Sequence, residues 1–379
     1  MLRTDALDYD LPPELIATRP VEPRDACRLL VVSRSDPARR EHRVFRDLPG
    51  SVRPGDLLVF NTTRVLPARI VGRREDTGGK VGGLYLGPAT GGHSLFLLRA
   101  GGHLNVGCRV RLLELAGTES PYVLEVVGRD EERFIVRTER TGQSGKGGLV
   151  SAVQALAEVG LTPLPPYILN ARTEKHEETP DELDREWYQA VYAQPTGREE
   201  SGGGGSVAAP TAGMHFTDEL LARLAAMGVG RADVVLHVGP GTFQPIKTEF
   251  VDQHPMHAEW CSISPEVIQA MERTKAVGGR VIAVGTTTAR AIESLPDLIA
   301  NEGHSRGFEG ETRLLVTPGR PWRWVDGMVT NFHLPRSTLL AMVGALFPGG
   351  VPDLLGIYRE AVQERYRFYS YGDAMLVLP

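Results

Sequence analysis

Histidines in loops between predicted helices and strands are the first candidates for chemistry, and four residues fit that description: His215, His237, His257 and His333. None lies in a metal-binding pair such as His-Glu-x-x-His. His254 and His257 could chelate an ion with Glu259, but a proline lies between the two histidines and a further strong donor is missing. The pattern therefore favours acid and base chemistry without a metal, in which one or two of these histidines act.

The segment 207–217 combines small residues with polar groups and continues directly into a helical pattern. Small residues such as Gly213 let a ligand approach the backbone closely, while Thr211 and His215 supply hydrogen-bonding groups. Thr217 is also a good N-cap for the helix that follows. These features are typical of a binding loop, and equally of a tight turn followed by a helix cap.

A second segment of this kind follows the apolar strand predicted over 281–284. Gly285, Thr286 and Thr287 come next, and a helix is predicted over 289–295. A glycine turn at the start of a helix leaves backbone N–H groups free, and hydroxyl groups beside it add further donors. The segment therefore predicts an anion-binding site.

Arg64 comes shortly after the apolar run 57–60, at the end of a strand where open α/β sheets bind their ligands. Its guanidinium can bind a carboxylate or phosphate through two parallel hydrogen bonds, or it can form a structural ion pair. Near the end of the sequence, Arg359, Arg365 and Arg367 are interleaved with aromatic rings, including Tyr369. That mixture suits an RNA loop, although most of these rings could belong to the core.

Blocks of this type stand in a fixed order along nearly the whole chain: 8–12, 59–69, 163–168, 207–217, 236–245, 256–260, 285–290, 330–335 and 366–375. Together they resemble the signature blocks of the S-adenosylmethionine:tRNA ribosyltransferase-isomerase family. Glycine in 79–83 replaces a glutamate that is usual in that family, and Pro240 replaces a residue that is usually leucine. These departures concern local contacts.

The resemblance implies an unusual reaction of S-adenosylmethionine, whose ribosyl group is transferred to 7-aminomethyl-7-deazaguanine at the wobble position of tRNA. A base removes a proton from the carbon beside the sulfonium, adenine leaves, and the aminomethyl nitrogen attacks the sugar. An epoxide then closes and methionine departs, which gives epoxyqueuosine. Such chemistry needs a base, an acid for the leaving groups, an anchor for the methionine carboxylate and a dry pocket.

Roles can be assigned on this basis. We expect Glu259 or His215 to act as the base, and Asp373 or His333 to donate protons to the leaving groups. Carboxylate and ribose anchoring is expected of Arg64 with Thr286 and Thr287. The remaining substrate-binding candidates are Thr211, Gly213, Asn331 and Tyr369.

The pattern of predicted helices and strands along the chain indicates an α/β domain with a mixed sheet. A small antiparallel β-barrel domain is predicted to be inserted into that α/β domain. Helical and apolar strand patterns alternate through 1–65 and 151–379, whereas 66–150 contains short strand-like pieces between glycine turns. The inserted part has 12 Lys and Arg against 9 Asp and Glu, so it is mildly basic within a chain of net charge -5. The glycine-rich stretch 195–205 is predicted to be a flexible, solvated insert.

Composition narrows the remaining possibilities. The three cysteines are odd in number and widely scattered, which argues against a disulfide framework and favours a reducing cytoplasm. The longest apolar stretch, 339–347, is too short to span a membrane. We therefore expect a cytoplasmic monomer that uses S-adenosylmethionine as co-substrate, binds tRNA carrying 7-aminomethyl-7-deazaguanine, and requires no metal.

Two other functions remain open from sequence. An S-adenosylmethionine-dependent RNA methyltransferase could use the Gly285 turn for its cofactor, although no glycine-rich loop of that class with a suitably placed acid stands out. A non-catalytic RNA-binding module could be built on 66–150. The four aromatic residues of that segment are few for a base-stacking surface.

Overall fold

The computed structural model describes residues 1–142, 148–195, 205–239, 241, 245–298 and 307–379. Its strands are β1 Arg28–Ser33, β2 Arg40–Val44, β3 Leu57–Asn61, β4 Arg69–Arg74, β5 Lys80–Pro88, β6 Ser94–Ala100, β7 Arg109–Leu113, β8 Glu119–Asp130, β9 Arg133–Arg140, β10 Gly148–Leu149, β11 Gly230–Leu236, β12 Glu259–Ile263, β13 Val281–Val284, β14 Phe308–Thr312, β15 Gly327–Asn331 and β16 Ala374–Leu378. The helices are α1 Ala152–Val159, α2 Pro166–Lys175, α3 Asp181–Trp187, α4 Asp218–Ala226, α5 Pro265–Ala276, α6 Thr286–Leu298, α7 Thr338–Gly344 and α8 Val351–Gln363.

Nine strands form a large mixed sheet in the order β14-β12-β11-β3-β13-β15-β16-β1-β2. The four strands β11, β3, β13 and β15 run parallel to one another. Strand β16 pairs antiparallel with β15 and parallel with β1. This arrangement confirms the predicted α/β class with a mixed sheet.

Both faces of the large sheet are covered, which explains why all five residues of β3 are buried and the first four are apolar. Successive side chains of a strand point to opposite faces, so Leu57 and Val59 pack in one core while Leu58 and Phe60 pack in the other. Residues of α5 to α8 belong to the first core, and residues of α4 belong to the second. None of the helices within the described ranges is long and apolar enough to cross a membrane.

A second, antiparallel sheet is built from β4 to β10 and has its own apolar core. Its strands follow one another in the order β10-β9-β6-β5-β4-β7-β8, and β9 also pairs with β8. Helix α1 contributes Ala155 and Leu156 to that core. The sequence changes near residue 66 from alternating helices and strands to short strands between glycine turns. This change therefore coincides with the change from the large sheet to the second sheet.

Most predicted elements are confirmed, and several boundaries differ. Helix α6 begins at Thr286 and not after the hydroxyl residues, because the positive φ of Gly285 already breaks the chain there. Residues 211–215 form a turn of 3-10 helix where a loop was expected. The predicted flexible insert lies almost wholly in 196–204, outside the described residues, as do Pro240 and 242–244 of the His237 block.

Candidate active site

The carboxyl ends of β3, β11, β13 and β15 meet at one edge of the large sheet, because these strands are parallel. The register between β15 and β16 pairs Asn331 with Ala374, so the segment that precedes β16 reaches the same edge. A pocket of about 470 Å³, counted with the solvent at its mouth, opens there. We call it the edge pocket; six of the predicted site residues line it: Thr211, Thr286, Thr287, Asn331, His333 and Tyr369.

The start of α6 forms one wall of the edge pocket. The backbone N–H of Gly285 donates to the carbonyl of Val329 at 2.8 Å, which joins this turn to the neighbouring strand. Asn61, at the end of β3, places its Nδ2 3.5 Å from the Thr287 hydroxyl and donates to the carbonyl of Leu236 at 2.9 Å. One amide therefore fixes the end of β11 and approaches the first turn of the helix. The hydroxyl groups and the helix N-terminus suit a polar or anionic part of a ligand.

Asn331 connects the edge pocket to His215. Its Oδ1 accepts a hydrogen bond from the Thr211 hydroxyl at 2.9 Å, and its Nδ2 lies 3.0 Å from His215 Nε2 and 3.1 Å from the carbonyl of Tyr369. Because the carbonyl can only accept, the Asn331 amide must present Nδ2 on this side. Nε2 of His215 is then the acceptor, and its proton is carried on Nδ1, 3.3 Å from the sulfur of Cys27.

His215 and His333 are both buried and electrically neutral at physiological pH. Burial, together with the charges of Arg367 and Arg24, lowers the pKa of His215 to about 3. Burial alone lowers the pKa of His333 to about 3, and its Nε2 lies 2.7 Å from the Thr330 hydroxyl. A neutral imidazole with so low a pKa is a weak proton acceptor.

Glu259 lies beside the edge pocket and lines a neighbouring cavity. It is the first residue of β12 and is only 4% exposed. Its Oε2 accepts a hydrogen bond from Arg290 Nη1 at 2.9 Å, and its Oε1 accepts the backbone N–H of Gly239 at 3.0 Å. Glu259 is therefore a buried carboxylate held by a guanidinium on one oxygen and by a backbone N–H on the other.

Asp373 does not line the edge pocket. Its carboxylate accepts the backbone N–H of Arg28 at 2.9 Å and that of Arg367 at 2.7 Å, so it joins β1 to the segment before β16. Burial raises the pKa of Asp373, whereas the two backbone donors and the nearby arginines act in the opposite direction. These contacts are structural, and a role as proton donor stays a prediction.

Arg64 is predicted to anchor the ligand together with Thr286 and Thr287, and the structure does not bring it into the edge pocket with them. The structure places Arg64 in a different cavity, of about 990 Å³ with its open mouth, together with Arg185 and Gln189. The side chain of Arg64 is exposed. The chain after β3 turns away from the parallel strands here, because Thr63 and Val65 pair with residues 194 and 206.

Gly213 also lies outside the edge pocket, although its neighbours Thr211 and Ala212 line it. A Cβ atom at this position would come within 1.9 Å of the Tyr192 hydroxyl. The glycine is therefore required for packing against a buried ring, and its role in substrate binding stays a prediction.

Sequence reasoning missed several residues of this region. Tyr167 and Ser370 line the edge pocket, and the ring of Tyr167 lies 4.6 Å from that of Tyr369. Arg290 was part of a recognised block without a role of its own. Its position four residues after Thr286 could have identified it, because residues four apart lie on the same face of a helix and Thr286 lines the edge pocket.

His254, His257 and Glu259 are the residues whose sequence positions could allow them to chelate a metal ion. Over the described ranges, no group of three or more His, Cys, Asp or Glu side chains is arranged to hold a metal ion. His254 and His257 line the cavity next to Glu259 and Arg290.

The fold and site define an α/β protein with a pocket at the carboxyl ends of its parallel strands. The profile of the family described as "Queuosine biosynthesis protein" matches residues 4–377. S-adenosylmethionine:tRNA ribosyltransferase-isomerase of Anaeromyxobacter sp. is 47% identical over 378 residues, which cover 99% of either chain. The enzyme of the same name from Gloeobacter violaceus is 46% identical over 99% of this chain and 96% of its own.

A solved structure agrees with these matches. The crystal structure of S-adenosylmethionine tRNA ribosyltransferase from Thermotoga maritima is 33% identical, with a TM-score of 0.51, and covers 98% of this chain and 100% of its own. The chain therefore belongs to the queuosine biosynthesis protein family, as the sequence blocks predicted. The names of these relatives give no support to the alternative of a methyltransferase.

Proposed function

We propose that this protein is an S-adenosylmethionine:tRNA ribosyltransferase-isomerase. It transfers and isomerises the ribosyl moiety of S-adenosylmethionine onto 7-aminomethyl-7-deazaguanine at the wobble position of tRNA. The products are epoxyqueuosine-tRNA, adenine and methionine. The observation that carries this proposal is the 47% identity to a relative of that name over 99% of the chain.

The geometry of the edge pocket supports this assignment. Ribose hydroxyls and ring nitrogens need hydrogen-bonding partners, and Thr211, Thr286 and Asn331 offer them within a largely apolar lining. Tyr369 adds an aromatic wall with a positive φ of 72°, a backbone conformation that non-glycine residues seldom adopt. Such strain, placed at a pocket, is typical of a binding site.

Among the candidate bases the contacts favour Glu259. His215 is neutral with a pKa lowered to about 3, and both of its ring nitrogens already have partners. Asp373 and His333 both remain candidates for the proton donor: His333 lines the edge pocket but burial keeps it neutral, whereas Asp373 has a raised pKa but does not line the pocket. Thr211, Thr286, Thr287, Asn331 and Tyr369 are the proposed substrate contacts.

One experiment tests the function. The protein is incubated with S-adenosylmethionine and a tRNA carrying 7-aminomethyl-7-deazaguanine. The mass of the modified nucleoside is then measured by mass spectrometry, and the small-molecule products are separated by chromatography. Epoxyqueuosine and free adenine are expected. Appearance of S-adenosylhomocysteine and a methylated nucleoside would instead identify a methyltransferase.

For the fold we propose that residues 66–150 form a small β-barrel domain inserted into an α/β catalytic domain of residues 1–65 and 151–379. The pairings support it, since they run from β4 through β5, β6, β9, β8 and β7 back to β4. A sequence of strands that returns to its start leaves no open edge between them.

The proposed partners are tRNA and S-adenosylmethionine, and the proposed state is a cytoplasmic monomer. All three cysteines are free, which fits a reducing compartment. Sedimentation of the purified protein at micromolar concentration measures the oligomeric state directly. A dimer would overturn that part of the proposal without affecting the function.

A further inference from the structure

Arg290 is a buried cation with an unused donor beside the edge pocket. It is 2% exposed, and its Nη1 donates to Glu259. Its Nε is also buried, yet finds no hydrogen-bond partner among the described residues. A buried N–H group without an acceptor is unfavourable, because it has lost its hydrogen bond to water and forms none within the protein. The arrangement points to an acceptor supplied by a ligand.

The cavity that Arg290 lines, which we call the side cavity, lies next to the edge pocket. Thr338 lines the side cavity and Leu339, the next residue, lines the edge pocket. On α6, Thr286 lines the edge pocket and Arg290 lines the side cavity one helical turn further on. The two cavities are therefore neighbours along the start of α6 and the start of α7.

Resting on the proposed function, we propose that Arg290 binds the methionine carboxylate of S-adenosylmethionine in the side cavity, while the nucleoside part occupies the edge pocket. A guanidinium has five N–H donors in a planar fork, so it can bind a second carboxylate while Nη1 remains on Glu259. This site replaces Arg64, which is exposed and lines a different cavity.

Charges support the same placement. With the ligand bound, the buried Arg290 cation contacts two anions, Glu259 and the methionine carboxylate, and the sulfonium and the ammonium of the methionine balance the added negative charge. Of the described residues that line the side cavity, Arg290 is the one permanently charged cation. The neighbouring His254 adds no second positive charge, because burial and the charges of His257 and Arg290 lower its pKa.

The test compares two ligands that differ in one group. Equilibrium binding of S-adenosylmethionine and of its decarboxylated analogue is measured by calorimetry without tRNA, so no turnover is involved. The native protein should bind the analogue at least about ten-fold more weakly, since a charge-assisted pair is lost. Arg290→Gln should bind both ligands with similar affinity, and Arg290→Lys should keep part of the preference.

Arg64→Gln is the matched control, and its preference for the carboxylate should equal that of the native protein. Equal binding of the two ligands by the native protein would overturn the proposal, and so would a full preference in Arg290→Gln. Loss of the preference in Arg64→Gln would move the anchor to Arg64. Failure of the proposed function itself would appear separately, as the absence of epoxyqueuosine and free adenine in the assay with tRNA.

Discussion

Arg290 Nη1 donates to Glu259 Oε2 across 2.9 Å, although each side chain is only 3% exposed. The contact joins the second turn of α6 to the first residue of β12. Each of these buried charges is stabilised by the other, so substitution of either residue leaves its partner as an uncompensated buried charge. A role for Glu259 in chemistry must therefore be separated from its role in holding Arg290.

Glu259→Gln keeps the shape of the side chain and removes its negative charge. If Glu259 takes the proton beside the sulfonium, turnover should fall by roughly two to four powers of ten, the usual contribution of a general base. Binding of S-adenosylmethionine should change much less. Adenine release in a single turnover measures the first effect, and calorimetry measures the second.

Glu266→Gln, an exposed carboxylate on α5, is the control for Glu259→Gln and should retain native turnover. Exchange of the ribose proton with deuterated solvent, where the native protein supports it, should also stop in Glu259→Gln. Turnover close to native in that variant would exclude Glu259 as the base and leave His215 as the candidate base.

The two buried histidines should make the protein less stable in mild acid. The pKa of His215 and that of His333 are lowered to about 3, whereas an unfolded histidine titrates near 6.5. Below that value the unfolded chain binds protons that the folded chain does not, so the free energy of unfolding is greatest above it and falls as the pH falls. The loss approaches about 1.4 kcal/mol per pH unit for each histidine.

Urea unfolding of the native protein, His333→Gln and His103→Gln between pH 7 and pH 5 measures this dependence. The first substitution should reduce the slope, and the exposed His103 should leave it unchanged. An identical slope in all three proteins would contradict the burial of a neutral His333.

Gly213→Ala should destabilise the protein through one contact. The added Cβ would lie 1.9 Å from the Tyr192 hydroxyl, and overpacking of this kind costs about 1–3 kcal/mol. Tyr192→Phe removes that hydroxyl, which is buried and has no hydrogen-bond partner within the described residues. The double variant should therefore recover part of the loss, and thermal unfolding of the four proteins measures it. Simple additivity would show that the two residues do not interact.

Arg172 and Asp184 form a buried, two-pronged ion pair between α2 and α3, with both N–O distances at 2.7 Å. Arg172→Gln leaves Asp184 buried without its cation and should lower the free energy of unfolding by about 3–5 kcal/mol. Arg336→Gln, which removes an exposed partner of Asp8, should cost less than about 1 kcal/mol. Similar losses in the two variants would argue against the burial of the first pair.

Sequence patterns predicted much of this fold because they act locally. The apolar run of β13, the glycine after it and the helix that follows are neighbours in the chain, so their order could be derived directly. The 3-10 turn 211–215 was missed, since its small residues carry no helical periodicity.

The site was harder to predict because its contacts join distant segments. Asn331 meets His215 across 116 residues of sequence, and no local pattern specifies which amide atom it presents. The position of Arg64 depends on how the chain leaves β3, which is set by pairing with residues 194 and 206. The grouping of Arg290 with Glu259 likewise follows from the packing of α6 on β12.

The pairing of β1 with β16 matters during synthesis. It joins segments about 345 residues apart, and among the described strands β1 and β2 have no other neighbour in the large sheet. A chain that emerges from a ribosome must therefore carry this hairpin without its partner until residues 374–378 have been made. For that time the backbone edge of β1 that pairs with β16 remains open, and an unpaired strand edge can associate with another chain.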